Sequence, residues 1–140
     1  MTVEKVVAYI AREDELLVFL HVDDRDPVLE SGLQVPAGTV EPGEEPAEAV
    51  LREAAEETGL GGLEILRYLG SDEPRWPGAL SQRRHFFQLS VADAPEVWEH
   101  VERDGGDGPA RPFRLFWMSV DKAAPLLAAG QGLFAALIRS

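Results

Sequence analysis

The stretch GTVEPGEEPAEAVLREAAEETGL, residues 38–60, constrains the fold of this chain more than any other part of the sequence. Alanine, leucine, glutamate and arginine fill its second half and favour a helix interior, while Pro46 suits a first helical turn. Gly59 stands where a helix would end. The sequence therefore predicts a helix over residues 42–59, preceded by a loop that glycine and proline bend tightly.

Three glutamates of this helix, Glu53, Glu56 and Glu57, are spaced so that their carboxylates share one face. An acidic face in contact with water is the ordinary explanation of such a cluster. Here the cluster lies in the last turns, where carboxylates oppose the helix dipole at a cost of roughly a few tenths of a kcal/mol each. A divalent cation would cancel this repulsion, and carboxylates beside a bent backbone suit Mg²⁺ or Mn²⁺.

The order and spacing of residues in this stretch resemble the signature of the Nudix hydrolases. That signature reads Gly, five residues, Glu, seven residues, Arg-Glu, an aliphatic residue, any residue, Glu-Glu, any residue, Gly and an aliphatic residue. The matching positions are Gly38, Glu44, Arg52, Glu53, Ala54, Glu56, Glu57, Gly59 and Leu60. Ala54 is a small residue at the aliphatic position, which the signature allows. Residues 38–60 are called the Nudix box below.

The resemblance implies metal-dependent hydrolysis of a diphosphate linkage in a nucleoside diphosphate joined to another group. The ligands that it implies for Mg²⁺ or Mn²⁺ are Glu53, Glu56, Glu57 and the backbone carbonyl of Gly38. The catalytic residues that it implies are Glu53, Glu57, Arg52 and Glu44. Arg52 would orient the glutamates through charge-assisted hydrogen bonds, and Glu44 would help to fix the loop against the helix.

The resemblance leaves the general base open. Some members of the family use the glutamate at the position of Glu53, whereas others use a glutamate from a distant loop. Such glutamates in this chain are Glu73, Glu96, Glu99 and Glu102. For each of these taken singly, a solvent-exposed carboxylate is the ordinary explanation.

Substrate recognition is expected in the segment SDEPRWPGALSQRRHFF, residues 71–87. Trp76 is a candidate for stacking on a base, with packing in the core as the alternative. Candidates for contact with phosphate are Arg75, Arg83 and Arg84. Because side chains alternate along a strand, only one of the last two would face the cleft. ADP-ribose-like compounds, nucleotide sugars and dinucleoside polyphosphates are substrates that the resemblance suggests, and the prolines after the box weakly favour the first.

Outside the box, apolar runs predict several strands and a second helix. We expect strands at residues 3–12, 15–22, 33–40, 63–70, 83–91 and 113–120, with residues 94–101 ambiguous. The first two strands form either a hairpin or two sequential strands. Residues 121–140 predict a helix, broken near Gly130 and Gly132. This order indicates an α/β fold with a mixed sheet between helices, and the resemblance implies a Nudix-type α/β/α sandwich.

The composition limits the partners of the chain. Its 140 residues suit one domain, residues 1–140, and its net charge of −12 disfavours long nucleic acids and anionic membranes. The sequence has no cysteine, which excludes disulfides and thiol nucleophiles. Because its first residues lack the pattern of a secretory signal and no stretch suits a bilayer, we expect a cytoplasmic protein. The resemblance is compatible with a homodimer, which no residue specifically indicates.

Other functions on the same fold agree less well with this sequence than hydrolysis does. A nucleotide-binding regulatory domain without turnover would be expected to lack box glutamates, and this chain keeps them. Hydrolysis of nucleoside triphosphates or of RNA 5′ ends is the enzymatic alternative, although the net charge disfavours a long RNA. The absence of cysteine disfavours an isomerase of the isopentenyl diphosphate type. The acidic spacing is not that of an EF-hand loop.

Overall fold

The computed structural model describes residues 2–28, 30–75, 81–102 and 111–139, and within them lies a seven-stranded mixed sheet. The strands are β1 (Val3–Arg12), β2 (Glu15–His21), β3 (Ala37–Thr39), β4 (Leu63–Asp72), β5 (Gln82–Val91), β6 (Val97–Glu102) and β7 (Arg111–Ser119). The helices are α1 (Pro46–Thr58) and α2 (Val120–Ala123). Short 3₁₀ turns follow at Ala124–Leu126, Ala128–Gly130 and Ala135–Leu137. These elements confirm the predicted α/β fold.

Strand β1 organises the sheet. The strand order is β4-β5-β1-β2-β7-β6, and β3 pairs with the first half of β1. Only the β1–β5 pair is parallel among the described strands. The β1–β2 ladder is confined to the residues beside their turn, Ala11 with Leu16 and Arg12 with Glu15. The hairpin alternative is therefore confirmed at its tip, and the two strands then separate.

Alternating residues of β1 face two different cores, as the period of a strand requires. Val6 and Ala8 pack toward α1, whereas Val7 and Tyr9 pack toward residues 124–139, called the C-terminal segment below. The helix contributes three fully buried side chains to its core, Ala49, Val50 and Ala54. Because these side chains are short, α1 lies close to the sheet, in which β3 contains the first two box residues, Gly38 and Thr39.

Helix α1 begins later than the sequence predicted. It starts at Pro46, because the preceding residues form a turn in which Gly43 has a φ of 81°. The backbone N–H of Glu45 donates to the Glu48 carboxylate at 3.0 Å, which satisfies one donor beside the first turn. At the other end Gly59 adopts a φ of 74°, the left-handed stop that the sequence predicted.

The prediction of a C-terminal helix over residues 121–140 is wrong beyond its first turn. Pro125 has no N–H to continue the hydrogen-bond ladder of α2. Ala129, with a φ of 54°, and Gly130, with a φ of 70°, then reverse the direction of the chain. The predicted break near Gly130 is confirmed, and the remaining turns are too short to form one helix.

The C-terminal segment nevertheless forms the second layer on the sheet. Leu127 and Ala135 are buried against the face that Val7 presents. A Cβ on Gly132 would lie 2.2 Å from the carbonyl oxygen of Ala124, so the segment folds back through a contact that only glycine allows. The sheet is thus covered on one face by α1 and on the other by short helical turns.

The remaining predictions fall on shorter elements. Residues 94–101, which the sequence left ambiguous, contain β6, paired with β7. The strand predicted at residues 33–40 is reduced to β3, with Gln34 forming an isolated bridge to Phe19. In the four ranges described above, no helix is both long and apolar enough to cross a membrane.

Candidate active site

Arg52 on α1 joins the loop and the helix of the Nudix box. Its Nε and Nη2 donate to the two carboxylate oxygens of Glu44, at 2.8 and 3.0 Å. Its Nη1 donates to Glu53 at 2.9 Å and to Glu56 at 3.4 Å, and its Nη2 also donates to the carbonyl of Thr39 at 3.0 Å. One guanidinium therefore fixes three carboxylates and the end of β3, which suits the planar fork of arginine.

These contacts favour the ionised forms of Glu44 and Arg52. The hydrogen bonds from Arg52, together with the backbone N–H of Glu41, lower the pKa of Glu44 to about 2. The hydrogen bond with Glu44 raises the pKa of Arg52 in turn. Both groups therefore keep their charges at neutral pH, and the loop stays tied to the helix.

Gly38 lies in direct contact with the helix. A Cβ built on Gly38 would stand 2.0 Å from the carboxyl carbon of Glu53, a distance at which real atoms overlap. Gly38 is paired with Val6 in the sheet, so the backbone cannot move aside without breaking the β1–β3 ladder. The glycine at this position is therefore required by the close approach of a carboxylate.

Glu57 is held by Ala37, which precedes Gly38 in the same strand. Its side chain is buried, with 6% of its surface exposed, and its Oε1 accepts the backbone N–H of Ala37 at 2.8 Å. Glu56, by contrast, has half of its side chain in solvent. The structure thus brings together the six positions that the box predicted, namely Gly38, Glu44, Arg52, Glu53, Glu56 and Glu57.

The donor set suits a hard divalent cation. Carboxylate and carbonyl oxygens are the ligands that Mg²⁺ and Mn²⁺ prefer. Glu53, Glu56 and Glu57 lie within about one helical turn of each other on α1, and Glu53 lies against Gly38. In this structure Arg52 donates hydrogen bonds to Glu53 and Glu56. Within the described ranges, no three acidic or histidine side chains are close enough together to form a metal site as they stand. The residues fit such an ion by identity and proximity, with Arg52 as their present partner.

Two side chains of β6 hold the C-terminal end of α1, and the sequence did not reveal them. The indole Nε1 of Trp98 donates to the carbonyl of Thr58 at 2.9 Å, and Nε2 of His100 lies 2.8 Å from the carbonyl of Glu56. Carbonyls in a last helical turn have no partner inside the helix. These contacts therefore anchor the turn that carries two box glutamates. No local pattern could have found them, because they join residues about 40 positions apart.

A cavity of about 330 Å³ lies beside the box, with Gly38 in its wall. Arg84 also lines it, almost fully buried, and its Nε and Nη2 donate to Asp72 at 2.9 and 2.6 Å. Arg83 instead donates to Glu73 at 2.7 Å on the surface. Alternation along β5 therefore turns Arg84, and not Arg83, toward the cavity.

Arg75 and Trp76 are the other predicted substrate residues. Arg75 is exposed at the end of the described range that precedes residue 76. Trp76 lies outside the described residues.

The distant glutamates considered as general bases are placed in surface ion pairs. Glu73 pairs with Arg83, and Glu99 pairs with Arg114 at 3.2 Å. Glu96 pairs with Arg12. The side chain of Glu102 lies outside the described part of the chain. The three described candidates are thus each neutralised by an arginine and exposed over more than half of their side chains.

The comparison with protein families agrees with this geometry. The family model described as the NUDIX domain matches residues 1–137. The chain therefore belongs to the Nudix family, whose members are pyrophosphohydrolases that generally depend on divalent metal ions. No curated protein sequence matches the chain.

Solved structures share the fold. The MutT Nudix hydrolase from Burkholderia pseudomallei superposes with a TM-score of 0.69 at 18% identity, over 99% of each chain. The MutT protein from Methanosarcina mazei Go1 gives 0.67 at 21% identity, over 97% of this chain and 91% of that one. A UDP-X diphosphatase gives 0.62 at 17% identity, over 86% of this chain and 52% of that one. At these identities the likeness concerns the fold.

Proposed function

We propose that this protein hydrolyses a diphosphate linkage in a nucleoside diphosphate joined to another group, in a reaction that depends on Mg²⁺ or Mn²⁺. The observation that carries the proposal is the contact between the carboxylate of Glu53 and the backbone of Gly38. The same helix face presents Glu56 and Glu57 within one turn of Glu53. Oxygen ligands would therefore come both from the carboxylates of α1 and from the backbone of β3 at Gly38.

The residues that would hold the cation are Glu53, Glu56, Glu57 and the carbonyl of Gly38. When bound, such an ion neutralises charge on the phosphates and lowers the pKa of a coordinated water. Arg52 already orients Glu53, and the N–H of Ala37 already orients Glu57. The chain therefore supplies its carboxylates in restricted positions, which reduces the conformational entropy lost on binding.

Arg52 and Glu44 act in this proposal as positioning residues. The pair of hydrogen bonds between them ties the loop of the box to the middle of α1. Because Nη1 of the same guanidinium reaches Glu53, a shift of Arg52 would move a carboxylate that carries the chemistry. Four residues are predicted to be catalytic. Of these, Glu53 and Glu57 would contact the reacting centre, whereas Glu44 and Arg52 would orient them.

We assign the acceptor of the proton of the attacking water to a box carboxylate. Glu73, Glu96 and Glu99 are poor candidates because each lies outside the carboxylate cluster of the box and has more than half of its side chain exposed. Glu53 is the preferred choice, since the resemblance names this position as a base in some members and its carboxylate lies against the backbone of Gly38.

The substrate is proposed to be a small nucleotide rather than a nucleic acid polymer. The net charge of −12 opposes a long polyanion, whereas a cavity of about 330 Å³ is at the small end of ligand sites. Arg84, which the sequence predicted as a substrate residue, lines that cavity. Arg75 and Trp76 remain predictions from the sequence, as do a cytoplasmic location and a homodimer.

Turnover of a substrate panel tests the proposal. The purified protein would be incubated with Mg²⁺ or Mn²⁺ and ADP-ribose, nucleotide sugars, dinucleoside polyphosphates or nucleoside triphosphates, and products separated by chromatography. We expect one preferred group of compounds, cleaved into two phosphorylated products, with activity abolished by EDTA. No turnover of any compound at saturating metal, or turnover that resists EDTA, would contradict the proposal.

A further inference from the structure

The cavity beside the box has an unusual polar wall. Its polar side chains are those of Lys5, Gln82, Arg84 and Gln131. Each of them carries N–H donors, and no carboxylate stands among the described residues of the wall. In a chain with a net charge of −12, a wall of this kind is suited to a group that is rich in hydrogen-bond acceptors.

Lys5 supplies the positive charge of this wall. Its strand neighbours are Thr39 on β3 and Arg84 on β5, so it stands between the box and the far side of the cavity. Its Nζ donates to Oγ1 of Thr39 at 2.6 Å. No carboxylate of the described residues forms an ion pair with it, and an ammonium has three donors, of which Thr39 takes one.

Arg84 differs from Lys5 although both are cations in the same wall. Both oxygens of Asp72 accept hydrogen bonds from its guanidinium, and its Nη1 donates to the carbonyl of Ala129 at 2.6 Å. Its charge is therefore compensated inside the protein, and it braces the C-terminal segment against the sheet. The uncompensated charge that faces the cavity belongs to Lys5.

Gln131 adds a neutral donor with a fixed orientation. Its side chain is buried, with 8% exposed, and its Oε1 accepts the backbone N–H of Val35 at 3.0 Å. The carbonyl oxygen is thereby occupied, and the polar atom left to the cavity is the amide nitrogen, a donor. The identity of the two amide atoms follows from this contact, because a backbone N–H requires an acceptor.

The apolar residues described in the wall are aliphatic. None of its described residues is aromatic, so this part of the cavity offers no ring on which a base could stack. We infer that the cavity binds a phosphate or a phosphorylated sugar of the substrate, held by the ammonium of Lys5 and the amide of Gln131. This inference rests on the proposed function and names the class of group that lies beside the cleaved linkage.

The test is a titration of the isotope-labelled full chain with ribose 5-phosphate in EDTA, followed by NMR. We expect shifts at Gly38 and at the side-chain amide of Gln131. Lys5→Gln should weaken binding by about tenfold or more, the loss typical of one charge-assisted hydrogen bond. Lys5→Arg keeps the charge and should bind nearly as well. Lys122→Gln removes the other lysine of the chain, which is exposed on α2, and is the matched control.

The following results would overturn the inference. Affinity unchanged in Lys5→Gln would remove the role of the ammonium, and equal weakening in Lys122→Gln would reduce the effect to net charge. If adenosine shifts the resonances of Gly38 and Gln131 whereas ribose 5-phosphate does not, the cavity binds a base. If Lys5→Gln does not fold, Gln131→Glu replaces it, since it keeps an acceptor for Val35 but puts a negative charge in the wall. That variant should also lose about tenfold in affinity, and unchanged binding would overturn the inference.

Because this titration involves no metal and no turnover, it is separate from the test of the proposed function. A protein that binds ribose 5-phosphate through Lys5 but hydrolyses nothing would contradict the proposed function alone. With a hydrolysed substrate, Lys5→Gln is expected to raise KM by about tenfold with kcat nearly unchanged, the signature of uniform binding. An equal fall in kcat with unchanged KM would contradict a binding role.

Discussion

The two faces of the sheet are built in different ways. On the α1 face, the carboxylates and the arginine of the candidate active site come from one continuous stretch, and its key contacts join Glu44, Arg52 and Glu53. On the other face, the cavity is assembled from β1, β3, β5 and the C-terminal segment. The candidate active site is thus a local motif, whereas the cavity depends on contacts between distant parts of the chain.

The largest effect is expected from Glu57→Gln on the α1 face. Loss of one charge from the proposed metal ligands should lower kcat by about 10³-fold or more, equivalent to several kcal/mol of barrier. The amide oxygen can still accept the N–H of Ala37, so the thermal midpoint should stay near that of the wild type. Initial rates at saturating Mg²⁺ and a melting curve measure both quantities. Glu64→Gln, exposed on β4, is the control, and wild-type kcat in Glu57→Gln would refute the role.

Arg52→Ala should have the next largest effect. Removal of the guanidinium releases Glu44 and Glu53 together, and loss of such an orienting contact typically costs about 10–100-fold in activity. The fold should persist, because α1 is held by its buried apolar face. Arg114→Ala, which breaks the surface pair with Glu99, is the matched control. If Arg52→Ala is unfolded by circular dichroism, Arg52 is structural.

Gly132→Ala examines the opposite face. Its new methyl group would meet the carbonyl oxygen of Ala124, a backbone atom that cannot rotate away, so we expect a loss of about 1–3 kcal/mol in the free energy of unfolding. Urea denaturation followed by fluorescence measures it. Gly61→Ala is the control, since a Cβ there meets nothing within 4 Å. Equal stability of the two variants would show that the C-terminal segment can shift freely.

The smallest effect concerns acid. The pKa of Glu44 is lowered to about 2 in the folded protein, from 4.5 without these contacts. The folded state therefore gains stability from ionised Glu44 above pH 4.5 and loses it as the pH falls toward 2. Glu44→Gln should show a smaller fall in thermal midpoint over this range than the wild type. Parallel curves for the two proteins would mean that the ion pair with Arg52 does not contribute.

The sequence predicted the α1 face well because its contacts join residues that are close together in the chain. The spacing of Glu53, Glu56 and Glu57 follows from helix geometry, and Gly59 marks the end of the helix by its conformation. Gly38 was placed by the motif, but the reason for a glycine there appears only in three dimensions, where Glu53 occupies the position of a Cβ.

The C-terminal face could not be predicted in the same way. Alanine and leucine in residues 121–140 favour a helix, yet Pro125 and the positive φ of Ala129 break it, and tertiary contacts select the short turns. Trp98 and His100 also escaped prediction, since their partners on α1 are distant in the chain. Local propensity carries no information about such contacts.

The central claim is that the box glutamates share a cation, and Mn²⁺ binding tests it most directly. Electron paramagnetic resonance would count free Mn²⁺ in titrations of the wild type, Glu53→Gln, Glu56→Gln, Glu57→Gln and the control Glu64→Gln. We predict that each box variant weakens binding by about tenfold or more, whereas Glu64→Gln binds like the wild type. Equal Mn²⁺ affinity in all five proteins would contradict the claim.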